Sequence, residues 1–271
     1  MSGPTPGSDG SRAEERGNGP RPPGCPECGG TGYAIHTAED GVARAKRCSC
    51  GWVDRIETLL KDTRIPKRYR NCSFDSYDTL KPSLERAKIQ VQRFVEEYPM
   101  HDFGLLLLGP CGVGKTHLAA AALTFLVREK GVSGMFYDFR DLLKEIQASY
   151  NAVSGTTEMA ILQPIFSAEV LVLDDLGATK MTDWVRDTLS HIINNRYNER
   201  RVTIVTTNLE DEVTTPSRGD ERVRERPLLR DQIGDPLRSR LYEMCEVIDL
   251  TGGEDYRRTV KHTARRPGPL G

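Results

Sequence analysis

The octapeptide Gly109-Pro110-Cys111-Gly112-Val113-Gly114-Lys115-Thr116 satisfies the spacing G-x-x-x-x-G-K-[ST] in full, and its surroundings constrain the fold as much as its letters do. Before it runs FGLLLLG, Phe103 to Gly109, short and without polar alternation, which predicts a strand buried on both faces. After it, Lys115 to Lys130 predicts a long helix. A glycine-rich turn between a buried strand and a helix brings backbone amides and the positive end of the helix to one point, the requirement for holding phosphate. Lys115 is then expected to pair with the β- and γ-phosphates of a nucleotide, and Thr116 to hold Mg²⁺.

The remainder of the chain agrees with that fold. Leu84, Ala87, Val91, Phe94, Val95 and Tyr98 recur at spacings of three and four, an amphipathic helix stopped by Pro99. Downstream the types alternate: strand Met135 to Phe139, helix Arg140 to Tyr150, strand Val170 to Asp174, helix Asp183 to Asn198, strand Val202 to Thr206 and a last strand, Glu246 to Leu250. Strands alternating with helices imply an α/β fold built on a parallel sheet. No internal repeat is evident.

The strand Val170 to Asp174 ends in two carboxylates, Asp174 and Asp175, at the sheet edge where open α/β folds bind ligands. Asp174 is expected to grip Mg²⁺, through water, and Asp175 to orient and polarise an attacking water. Taken alone, the pair also fits a strand ending in an Asx turn. No [NT]-K-x-D guanine-reading motif occurs, so ATP is favoured over GTP.

The loop GPCGVGKT, the segment LVLDDLG, the strand ending Thr206-Thr207-Asn208 and DPLRSRL, Asp235 to Leu241, together resemble the AAA+ ATPases of the bacterial DnaC/DnaI helicase-loader group and the related IstB transposition ATPases. The resemblance covers about residues 65 to 260. It implies a three-layer AAA+ fold with a parallel sheet and slow, partner- or DNA-stimulated ATP hydrolysis. It also implies a replicative DNA helicase as partner and single-stranded DNA as its substrate. On the same resemblance Asn208 is the sensor-1 residue facing the γ-phosphate or the lytic water. Arg240, in Ser239-Arg240-Leu241, matches the arginine finger through which subunits associate, and Arg257 matches the sensor-2 arginine. Arg238 beside Arg240 leaves a solvated basic face open, and Asn208 also fits a cap. The usual AAA+ strand end is Asp-Glu; Asp175 is one methylene shorter, which suits a slow switch more than a motor, and IstB- and DnaI-like members often carry Asp here.

Cys25-Pro-Glu-Cys28 and Cys48-Ser-Cys50 supply four soft thiolates in two close pairs, the inventory of tetrahedral zinc. A short segment with few apolar residues needs such a metal to fold. An iron–sulfur cluster, a transient redox pair or unrelated thiols are the alternatives. Between Gly41 and Arg70 nine Lys or Arg face three acids, a local net of +6, with Trp52 and Tyr69 nearby. That stretch fits contact with single-stranded nucleic acid, docking of a protein partner, or a solvated face. Arg64-Ile65-Pro66-Lys67-Arg68-Tyr69 resembles the link that joins such modules to the ATPase core.

Composition bounds the rest. Lys plus Arg (38) against Asp plus Glu (39) gives a net charge of −1, so any nucleic-acid binding is local. The longest uncharged apolar stretch, Leu118 to Val127, is far short of the ~20 residues of a membrane span. The first twenty residues read as neither a secretory signal nor a folded segment. A cytoplasmic protein is expected, with its seven cysteines as thiols or ligands. The expected organisation is a disordered tail (1–24), a cysteine module with basic linker (25–70), an ATPase domain (71–260) and a flexible tail (261–271). Cys111 inside the loop reads as a plain small residue or an activated thiol, His117 as packing, Cys72 and Cys245 as core or interface thiols. A small-molecule P-loop kinase and a zinc-dependent nucleic-acid adaptor with a structural nucleotide site are the readings from other classes.

Overall fold

The computed structural model describes residues 25, 26, 28, 29, 33–37, 42–79, 81–150, 155–211, 228–250 and 255–256. The expected tails, 1–24 and 261–271, lie outside them, as does Arg257. The chain divides into two compact units, Met1–Glu57 and Thr58–Gly271.

In the first unit β1 (Tyr33–Thr37) pairs antiparallel with β2 (Ala43–Arg47), Tyr33 opposite Arg47 and Thr37 opposite Ala43. Cys25 and Cys28 precede the hairpin, and Cys48 follows it directly. Cys50 already belongs to α1 (Ser49–Asp62), so a turn, a hairpin and a helix start converge on the four thiols.

The second unit is a five-stranded, wholly parallel sheet. Its strands are β3 (Gly104–Leu108), β4 (Gly134–Asp138), β5 (Val170–Leu176), β6 (Val202–Thr207) and β7 (Cys245–Asp249), in the order β4-β5-β6-β3-β7. β3 lies between β6 and the outer strand β7, with Leu105 opposite Ile204 of β6 and Glu246 of β7. All of β3 and β6 is buried, β3 as an unbroken apolar run and β6 with the buried threonines Thr203, Thr206 and Thr207 among its apolar residues. Leu105, Leu107, Val170, Val172 and Ile204 face one core, shared with α2 (Pro82–Glu97) and α3 (Lys115–Lys130). Leu106, Leu108, Leu171, Leu173 and Val205 face the other, under α4 (Phe139–Ser149), α5 (Glu158–Ser167), α6 (Asp183–Asn198), α7 (Leu229–Ile233) and α8 (Asp235–Met244). Each fully buried leucine of β3 contributes about 1.5–3 kcal/mol.

The caps explain where the helices lie. Asp138 accepts the amides of Arg140 and Asp141 to start α4, and Thr157 and Thr182 cap α5 and α6 through their hydroxyls. α3 and α6 have the expected bounds. α5 was not expected: Pro164 interrupts its helical pattern, although Leu162 and Ile165 are buried against the sheet. β5 continues past Asp174 to Leu176, with an irregularity in its pairing to β6 between Leu173 and Leu176. The outer strand β4 is met on its free side by the segment after α1, where Phe136 N–H donates to Thr63 O at 2.7 Å. That contact blunts an edge otherwise open to pairing.

Candidate nucleotide site and cysteine cluster

β3 and β6 bring the chain to the C-terminal edge of the sheet, and the loop after β3 turns there with Gly112 and Gly114 at φ +86° and +96°. Those values, and the neighbours, require glycine. A Cβ on Gly114 would stand 2.4 Å from Tyr77 Cε2, and one on Gly112 would stand 2.8 Å from Asp255 Cα. Tyr77 is buried; its hydroxyl donates to Val113 O at 2.9 Å and its ring meets His117 edge-on. Burial raises the Tyr77 phenol above its ordinary range, so it remains a donor that props the loop. Sequence reasoning missed it, since nothing in the stretch before α2 marks one aromatic residue as the floor of a loop.

Lys115, only 8% exposed, donates from Nζ to Gly109 O and Pro110 O, both at 2.7 Å. The ammonium is thus held inside the loop it is expected to serve. Thr116 Oγ1 donates to both carboxylate oxygens of Asp174, at 2.9 and 3.1 Å. Fifty-eight residues apart in sequence, these two expected Mg²⁺ ligands are in direct contact. Burial pushes the Asp174 carboxyl above the usual carboxylate value; the hydroxyls of Thr206 and Thr116 oppose the shift, and Asp175 and Asp138 add to it.

Thr206 is the second residue to which the sequence reading gave no role of its own, although it lies in a segment that carries the resemblance. Its hydroxyl donates to Asp174 Oδ1 at 2.6 Å and accepts the Asp175 N–H at 2.9 Å, so one buried side chain fixes both carboxylates. Asp175 sits in the left-handed region, φ +59°, where Asp is tolerated better than most L residues. That turn coincides with the irregular pairing beyond Leu173. Asn208, just past β6, donates from Nδ2 to Cys111 Sγ at 3.3 Å. Its buried Oδ1 has no hydrogen-bond partner among the described residues, a polar atom aimed beside the loop. Tyr256 N–H donates to Gly112 O at 3.1 Å, which lays the segment preceding Arg257 against the loop.

Arg240 is not part of this constellation. It stands half-buried on α8 and donates to Asn194 Oδ1 on α6, 6.0 Å from the centre of the Tyr197 ring. Arg238 is engaged differently, forked onto Asp211 at 2.6 and 2.5 Å and stacked over Tyr242. Of the basic linker residues, Arg64 is bound to Glu145 and stacked on Tyr137. Tyr69 packs near Phe136, whereas Trp52 is exposed. Cys245 is buried, its thiol pushed up to about 12 by burial, in keeping with a core thiol.

In the first unit the sulfurs of Cys25, Cys28, Cys48 and Cys50 lie within 4.8 Å of one another. The Cys25–Cys48 and Cys28–Cys50 separations are 3.6 and 3.3 Å. A tetrahedral S₄ zinc site with Zn–S near 2.3 Å has sulfurs about 3.8 Å apart, so the donor set and its spacing fit zinc. Gly29 N–H closes the first turn onto Cys25 O at 2.8 Å, and Gly51 N–H the second onto Cys48 O at 3.2 Å. Among the described residues this is the one cluster of metal-ligating type, and no helix is long and apolar enough to cross a membrane.

The chain is similar to a solved structure titled as the DnaC helicase loader, with 34% identity and a TM-score of 0.55, covering 68% of this chain and 99% of that one. It is similar to a solved DnaI, with 26% identity and a TM-score of 0.56, covering 74% of this chain and 99% of the other. Among curated proteins, the replicative helicase loader DnaC of Buchnera aphidicola is 25% identical over 156 residues, 58% of this chain. The chain spans 63% of that relative's length. The sheet order and the loop after β3 are those of an AAA+ fold. Residues 33–264 match the profile of one family, described as IstB-like ATP binding protein, and with so much of its length matched the chain belongs to that family.

Proposed function

We propose that the chain is an ATP-hydrolysing AAA+ protein that loads a replicative DNA helicase onto single-stranded DNA in the cytoplasm. The observation that carries this reading is the likeness to nearly the whole of a solved DnaC helicase loader at 34% identity. The site supports the chemistry. Gly109 to Thr116 would cradle the phosphates of ATP, with Lys115 released from its loop carbonyls to the β- and γ-phosphates. Thr116 and Asp174, already in contact, would hold Mg²⁺, which would supply positive charge to offset that of the phosphates. Asp175 would orient the attacking water, and Asn208 would present its amide to the γ-phosphate or that water. Arg240 would enter the neighbouring subunit's site, and Arg257 would act as the sensor-2 arginine of its own.

In this reading residues 25–70 form a zinc module and linker, with Cys25, Cys28, Cys48 and Cys50 as ligands whose metal is structural. Residues 71–260 form the ATPase domain, and 1–24 and 261–271 are tails. The test is mass photometry of the chain with the host's replicative helicase, ATP, Mg²⁺ and Zn²⁺. A defined complex, lost on Lys115→Ala, is the expected result. No complex in any nucleotide state would overturn the helicase assignment. The family profile favours one second reading, an IstB-type helper whose partner is a transposase. Binding to a transposase on DNA in place of the helicase would select it.

A further inference from the structure

The two arginines of DPLRSRL are held by opposite chemistry. Arg238 makes a bidentate pair with Asp211 and stacks on Tyr242, whose hydroxyl also donates to that carboxylate. Its charge is neutralised within the fold. Arg240, two residues on, meets only neutral groups among the described residues: the amide oxygen of Asn194 and the face of Tyr197. Among the described residues it has no carboxylate within ion-pair distance, although Glu243 lies one helical turn away on the same helix. Glu243 is occupied instead by the Tyr197 hydroxyl, which donates to it at 2.7 Å.

We infer that Asn194 and Tyr197 are positioning residues for Arg240, which hold its guanidinium in a fixed place by neutral contacts and so keep its charge available to a γ-phosphate of the adjoining subunit. This rests on the reading of Arg240 as a finger acting in trans. The physical logic is a division of labour. A long arginine side chain left in solvent loses rotamer freedom when it is finally placed. An amide acceptor and a ring face impose that order beforehand. A carboxylate would impose it equally well but would compete with phosphate for the same donors. Tyr197 contributes twice, through its ring and by engaging the one acid on α8 that is spaced to reach Arg240. Asn194 and Tyr197 lie on α6, the next helix after Asp174 and Asp175, so the finger is referenced to the strand that carries its own subunit's carboxylates.

The decisive substitution is Asn194→Asp, which keeps shape and acceptor but adds a charge. A merely structural role predicts a protein at least as stable and as active as the parent. The inference predicts a thermal midpoint unchanged or raised, with stimulated turnover reduced about tenfold or more, out of the ~10³–10⁵ that such a finger supplies. KM for ATP should be unaltered. Turnover is measured in mixed assemblies, at a concentration where the parent protein assembles. Subunits carrying Arg240→Ala bind and turn over ATP, and subunits carrying Asp175→Asn, whose nucleotide-binding loop is intact, supply the finger. If that mixture is inactive, the trans-finger reading itself fails. If it is active, adding Asn194→Asp to the Asp175→Asn subunits should lower its turnover about tenfold or more; full activity would overturn the positioning role. Tyr197→Phe, which frees Glu243, should lower turnover, and Glu243→Gln placed on the same subunit should restore it. Tyr197→Phe turning over at the parental rate would remove Tyr197's hydroxyl from the account.

Discussion

Thr206→Val isolates a single hydroxyl at the centre of the site. Valine keeps the volume of threonine, so the fully packed end of β6 is preserved while two hydrogen bonds are lost. The bond to the Asp174 carboxylate is of the charged-acceptor kind, worth about 1.5–3 kcal/mol, and stranding the Asp175 N–H costs about 1–3 kcal/mol more. Because neighbouring losses are partly shared, a total of about 3 kcal/mol is expected at neutral pH. The assay is urea unfolding of the two proteins without nucleotide, comparing midpoints at equal m. The pH dependence makes the test sharper. Burial raises the Asp174 pKa in the folded state, so this group takes up a proton on folding in the window between the ordinary carboxylate value and its own. Its burden on stability is therefore full above that window and relieved as pH falls through it. The Thr206 hydroxyl lowers the pKa, so Thr206→Val raises it further and the mutant gains more from acidification. The difference between the proteins should therefore shrink as pH falls through that window. A difference below about 1 kcal/mol at pH 7.5, or one that ignores pH, would refute the assignment of Thr206 as the clamp on Asp174.

Gly114→Ala forces a Cβ against Tyr77 at a left-handed position, and isothermal titration should record a loss of ATP affinity of about a hundredfold or more, the ~3 kcal/mol of strain and displaced ring. Arg196→Met removes the donor to Ile165 O, Ala168 O, Val202 O and the Thr203 hydroxyl from a fully buried site. Denaturant unfolding should show about 3 kcal/mol or more of destabilisation, from stranded neutral acceptors at ~1–3 kcal/mol each, partly shared. Cys28→Ser should lower bound zinc, measured by elemental analysis, from one per chain to none. It should leave nucleotide binding by the other unit within about threefold of the parent, since the loop and its carboxylates lie wholly in that unit.

What was legible in the sequence and what was not divides along a physical line. The glycine-rich loop from Gly109 to Thr116, β3, α3 and the Asp174 strand were legible because each couples a local pattern to one backbone path: an uninterrupted apolar run, then glycines where side chains clash, then a helix. The cysteine cluster was legible for a similar reason, because thiols at close spacing have few other uses. Tyr77 and Thr206 were not, because their importance lies in contacts 36 and 32 residues away, with no residue-type signature. Arg196 was hidden more thoroughly. The segment NNRYNERR has the composition of a solvated helix end, yet its first arginine is wholly buried, its pKa driven down to about 9 by burial and its partners mostly backbone carbonyls. No sequence pattern advertises a carbonyl as a partner. The same holds for Arg240, whose distinction from Arg238 lies in whether an amide or a carboxylate receives it. α5 was missed because Pro164 is tolerated near the end of a helix that tertiary packing holds in place.

The central claim is that ATP at this site drives the loading of a helicase, and its most direct test is unwinding from a closed single-stranded circle coated with single-strand-binding protein, which offers the helicase ring no end to thread. The account predicts that the replicative helicase unwinds an annealed strand only when this chain and ATP are present, and that Lys115→Ala abolishes the effect. Unwinding that proceeds equally with the parent chain, with Lys115→Ala or with neither would contradict it.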